Sequence, residues 1–154
     1  MTWIALAFII GIVSGLRTMT APAAISWAAR LGYLHLNGTW LAFLGYTWTP
    51  WIFTLLALAE YVTDTLPQTP SRKVPPQFIA RIVSGALCGG AIGASFSNLW
   101  LGALLGAIGA AAGTLGGSEV RSRLAKAFGK DLPAALLEDA VAIAAAFLVV
   151  RVLA

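Results

Sequence analysis

Residues 51–66 read WIFTLLALAEYVTDTL, a run apolar enough for lipid that nevertheless carries two acids, Glu60 and Asp64. The same combination recurs downstream. Arg81 stands near the head of the apolar run 77–95, and Glu138 with Asp139 just inside the run 133–153. A charge at the centre of a bilayer costs roughly 2.5–3.5 kcal/mol on insertion scales, so several of them in one short chain need a compensating reason.

Composition sets the class around that stretch. Of 154 residues, 59% are hydrophobic and 10% charged, with a mean hydropathy of +0.85, which leaves too little polar surface for a soluble globule. The expectation is one all-α polytopic transmembrane bundle filling residues 1–154, with about five spans near 2–19, 51–66, 77–95, 99–117 and 133–153. The first run lacks the basic start and cleavage site of a secretory signal, and is expected to be retained.

Punctuation refines this layout. After Gly15-Leu-Arg-Thr-Met-Thr20 comes Pro22, which removes a helix donor and disfavours helix before it, so the first span is expected to be broken there, with a short helix near 22–34. The alternative is that residues 2–34 form two membrane-embedded arms. Trp, Tyr, Gly and Thr between 32 and 50 are typical of the headgroup interface, where the lone His35 also falls. The segment 118–131 alternates Glu119, Arg121, Arg123, Lys126 and Lys130 with Val120, Leu124 and Phe128, a pattern expected for an amphipathic cytoplasmic helix. Arg72 and Lys73 share its side of the membrane under the positive-inside rule. The amino terminus is then cytoplasmic for one kinked span and outside for two arms.

Gly85, Gly89 and Gly93, then Gly102, Gly106, Gly109 and Gly113, recur every three or four residues, a spacing that lets helix backbones approach closely in lipid. They are expected to pack against each other or against a second copy, making a homo-oligomer. Cys88 among them reads as a small packing group. The string Ile12-Val-Ser-Gly15 recurs as Ile82-Val-Ser-Gly85, a hint of internal repetition of the kind many carriers show.

Gly15-Leu-Arg-Thr-Met-Thr20, Ala28-Ala-Arg-Leu-Gly-Tyr33, Glu60-Tyr-Val-Thr-Asp64, Ala80-Arg-Ile-Val-Ser-Gly85 and Leu137-Glu-Asp-Ala140 together resemble a bacterial integral-membrane family known only by a domain-of-unknown-function label. The resemblance covers nearly the whole chain. It implies a prokaryotic membrane protein and brings no activity, ligand or catalytic residue.

The chemistry resides in the intramembrane charges. Glu60 and Asp64, at i, i+4, put both carboxylates on one helical face, suited to a cation or a shuttled proton, with Glu60 the deeper. Glu138 and Asp139 diverge by about 100°, so one is expected to face the bundle and the other the cytoplasmic surface. Arg17, Arg72, Arg81 and Arg121 are the candidate charge partners. Arg17 is also a candidate to join free amides at the head of the following helix in holding an anion, or else to snorkel to the headgroups. The net charge of +4 comes with no dense basic and aromatic cluster, so no nucleic-acid partner is expected. No nucleophile with its base, phosphate loop or histidine metal site is recognisable, so neither an enzyme nor a cofactor is expected; a lipid-phosphate enzyme holding a divalent cation on the four acids is a minor alternative. The leading expectation is a small transporter or channel-like carrier of an ion or small solute in the bacterial inner membrane. The alternative is a non-transporting scaffold or lipid-interacting accessory protein whose ion pairs are structural.

Overall fold

The computed structural model describes residues 1–66 and 73–154, and among them it is all helical with no strand. Its elements are α1 (Thr2–Leu16), α2 (Thr20–Arg30), a 3-10 turn over Trp40–Gly45, α3 (Thr49–Asp64), α4 (Pro75–Ser95), α5 (Leu99–Phe128) and α6 (Asp131–Leu153). The helices α4 and α5 are each long and apolar enough to cross a membrane. Proline begins α3 and α4, where its missing N–H costs no helical hydrogen bond. Gly129, at φ +70°, ends α5 in the left-handed conformation that glycine tolerates.

The path differs from a single kinked first span. α1 runs from Trp3, stacked on Phe96, to Ser14, whose hydroxyl donates to the Arg81 carbonyl at 3.1 Å. From Arg17 to Met19 the chain reverses. α2 then descends beside α4 until the His35 amide donates to Ser95 at 3.0 Å. Trp27 donates to Thr54 at 3.0 Å and meets Trp51 edge-on, so α3 rises antiparallel to α2. Residues 2–34 thus form two antiparallel arms rather than one kinked helix. At about 1.5 Å per residue, the arms measure roughly 22 and 16 Å, shorter than a hydrocarbon core of about 30 Å.

The glycines explain which helices meet. Gly85, Gly89 and Gly93 of α4 lie on Gly102, Gly106 and the Asn98 carbonyl in an antiparallel contact. Gly11 and Gly15 of α1 lie on Gly106, Ala110 and Gly113 in a parallel one. A Cβ added at Gly85 would stand 2.6 Å from the Gly106 carbonyl oxygen. The glycine faces expected to seat a helix or a second copy are thus used within one chain, and α5 is the spine on which α1 and α4 are laid. Fully buried Cys88 packs in this layer. The recurring Ile-Val-Ser-Gly string is used reciprocally, since Ser84 donates to the Thr18 carbonyl at 2.7 Å as Ser14 does to that of Arg81.

One expected element is corrected. The amphipathic segment 118–131 is not a separate helix: α5 continues unbroken to Phe128, because nothing between Gly117 and Leu124 stops a helix. Its outer surface is apolar, as are those of α4 and α6, with Ile79, Val83, Leu104, Ile108, Val141 and Phe147 exposed.

Glycine at position 106 is therefore not replaceable. Gly106→Leu is expected to lower the midpoint of unfolding in mixed micelles, followed by circular dichroism, by the equivalent of about 3 kcal/mol or more. Gly116→Ala, whose Cβ meets nothing within 4 Å, should leave it unchanged.

Candidate functional site

The reversal at Arg17–Met19 exposes two sets of backbone groups that a helix would satisfy internally. α2 begins with no capping side chain of its own. Its cap arrives from α3: the Glu60 carboxylate accepts the Thr18 amide at 2.7 Å and the Met19 amide at 2.8 Å, one on each oxygen. The open carbonyls at the end of α1 are met from α4 and α5. Arg81 Nη1 donates to the Gly15 and Leu16 carbonyls, both at 2.8 Å, and Thr114 donates to Gly15 at 3.2 Å. Arg81 Nη2 lies 3.8 Å from Glu60, joining the two caps.

Arg17 itself is fully buried. Its guanidinium is paired with Asp64 through one terminal nitrogen and with Asp139 through the other, and it lies 5.5 Å from the centre of the Tyr61 ring. The Tyr61 hydroxyl shares a 2.6 Å hydrogen bond with Thr20, tying α3 to the first residue of α2. Of the roles expected of Arg17, that of charge partner is the one its geometry fits, and the other two are corrected here. It neither snorkels nor holds an anion on the α2 amides, because the anion at those amides is the chain's own Glu60 and two other acids close on Arg17 first.

A second arginine extends the cluster outward. Arg121 makes a two-pronged bond to Asp131, at 3.0 and 2.6 Å, reaches Glu138 at 3.4 Å, and stands 4.0 Å from Asp64. Glu138 and Asp139 therefore both turn inward, each to a different arginine. The expected division between bundle and surface fails because Arg17 and Arg121 approach α6 from two neighbouring helices, and two directions 100° apart both find a cation. Arg72 lies outside the described residues.

The structure thus brings Arg17, Glu60, Asp64, Arg81, Arg121, Glu138 and Asp139 together at one end of the bundle. Sequence reading missed Thr18, Thr20, Tyr61, Ser84 and Thr114, whose hydroxyls or backbone groups complete it. Their only sequence signal is a polar atom in an apolar run close to a suspected break. Among the described residues no group of three acids, histidines or cysteines is placed to hold a metal ion. No protein-family model, curated protein or solved structure matches the chain.

Arg17 is the cluster's most exacting member, since its loss would leave Asp64 and Asp139 facing each other. Arg17→Met is expected to cost about 3–5 kcal/mol in the same unfolding measurement. Adding Asp64→Asn and Asp139→Asn should restore much of that loss; an unchanged midpoint in Arg17→Met alone would show that the pairs bear no weight.

Proposed function

We propose that the chain is a small multi-pass protein of the bacterial inner membrane that carries a proton or small ion, with Glu60 as the accepting group and the α1–α2 hairpin as the element it controls. The observation that carries this reading is the seat of the Glu60 carboxylate. It is the cap on two amides of a helix reversal and a neighbour of Arg81. Charge-assisted hydrogen bonds are roughly twice as strong as neutral ones, so a proton or cation captured by Glu60 weakens its hold on Thr18, Met19 and Arg81 at once. Occupancy of one carboxylate is thereby coupled to the backbone of the reversal, and the arrangement described is the closed one. Irregular backbone at membrane depth, tolerated where protein surrounds it, is a recurring feature of carriers. The halves α1–α3 and α4–α6 also run in opposite senses, as inverted repeats do.

The cluster end is the cytoplasmic one, given Lys73, Arg123, Lys126 and Lys130 beside it. α5, about 45 Å long over its 30 residues, passes beyond the hydrocarbon there, and both termini lie on the opposite side.

A second reading is favoured by Arg17, which is closed on both flanks by Asp64 and Asp139. In that reading the same contacts are a permanent clamp within a non-transporting scaffold or lipid-interacting accessory protein.

Glu60→Gln separates the two. Purified protein in vesicles loaded with a pH-sensitive dye, under an imposed pH gradient with the potential clamped, is expected to move protons faster than protein-free vesicles. Glu60→Gln should abolish that excess while retaining its helical circular dichroism. Wild-type flux no greater than that of empty vesicles, together with a lowered unfolding midpoint in Glu60→Gln, would instead establish the clamp.

A further inference from the structure

On the flank away from α2 and α3, the helices α1, α5 and α6 leave an apolar groove of about 340 Å³. Ile12 and Leu16 form one wall, Gly113, Gly116 and Gly117 the floor, and Val141 the other wall. Gly116 differs from the helical glycines that seat neighbouring helices. Where Gly106 and Gly113 are pressed against neighbouring backbone, a Cβ built on Gly116 meets nothing within 4 Å. The space above it is thus not used for helix packing. Its walls offer almost no polar atoms to hold water, which needs two to four partners. Leu115 and Val120 stand exposed beside it, continuous with the apolar outer surface of the bundle.

The groove's charged end separates the candidates for its occupant. Arg121 and Glu138 border it, but Arg121 is already committed to Asp131 and Glu138. The cation that remains open is Arg123, whose side chain is 78% exposed and uses Nε on Glu119 at 2.9 Å. Gly116, Val120 and Arg123 are spaced i, i+4, i+7, so Arg123 lies on the same flank of α5, about 10 Å beyond Gly116. Lys126 and Lys130 follow within two turns of chain. An apolar trough that ends under a basic rim at the headgroup level complements an acyl chain joined to a negatively charged head.

We propose that this groove binds an anionic phospholipid, with one acyl chain lying over Gly116 and Gly117 and the phosphate at Arg123. The site is separate from the Glu60 reversal and stands whether or not the chain carries an ion.

Gly116 is the position to test, because a Cβ there meets nothing within 4 Å and a longer side chain would extend into the space of the groove. Wild-type protein, Gly116→Leu, Gly116→Ala and Arg123→Gln are reconstituted in vesicles of equal parts phosphatidylglycerol and phosphatidylcholine. Each is then extracted in mild detergent, and its retained phospholipid is measured by native mass spectrometry. The wild type and Gly116→Ala should retain phosphatidylglycerol in preference to phosphatidylcholine. Gly116→Leu should retain about tenfold less of either lipid at unchanged helicity and unfolding midpoint, a difference of about 1.4 kcal/mol. Arg123→Gln, a change at an exposed site, should keep a lipid and lose the preference. Equal retention by Gly116→Leu and wild type overturns the proposal, as does an undiminished preference in Arg123→Gln. A wild-type dimer that Gly116→Leu converts to monomer also overturns it, since the groove would then seat a second copy of the chain.

Discussion

Everything in this bundle is arranged around three residues of irregular backbone. Arg17, Thr18 and Met19 reverse the chain inside the bundle, with Arg17 and Thr18 buried, and an unsatisfied backbone group in such surroundings costs several kcal/mol. The amides of Thr18 and Met19 need an acceptor and the carbonyls of Gly15, Leu16 and Thr18 need donors. No residue in the reversal can supply them, because each is itself part of the problem. Glu60, Arg81, Ser84 and Thr114 come from three other helices to do so. The charges that look anomalous in apolar runs are there because charged groups make the strongest caps.

Close helix packing is the condition for that arrangement. Thr114 reaches the Gly15 carbonyl only because Gly15 has no side chain and lets α5 approach α1. Arg81 reaches the same carbonyl from α4, which is held against α5 by Gly85, Gly89 and Gly93. In the membrane setting proposed above, the hydrophobic effect contributes little between helices, so contact area at small residues and satisfied polar groups must supply the cohesion. Here the two are linked, since the small residues set the distances at which the polar groups meet.

Much of this was legible in the sequence. Composition and run length located α3, α4 and α6 to within a few residues, and the start but not the end of α5, because an apolar run marks where a helix can be buried and not where a more polar continuation of it stops. Pro22 marked the break, and the spacing of Gly85 to Gly113 marked the close helix pair. The direction of the chain after the break was left as two alternatives, since a proline reports that a helix ends and not where the next one points. Glu60 stands out in the sequence as a buried acid, but its two backbone partners, the Thr18 and Met19 amides, do not. A carboxylate's ligand in a bundle is set by which helices adjoin, and a backbone amide leaves no mark in the residue letters. The expected division between Glu138 and Asp139 failed for a related reason: the angular rule assumes one polar side, while Arg17 and Arg121 provide two.

The reversal also has a history. A chain is made from its amino terminus towards its carboxyl terminus, so the α1–α2 hairpin is synthesised before its partners: Glu60 on α3, Arg81 and Ser84 on α4, Thr114 on α5, and Asp139 on α6. Until those helices are in place the amides and carbonyls of the reversal lack the groups that satisfy them, so the hairpin's final form waits on segments that follow it in the chain.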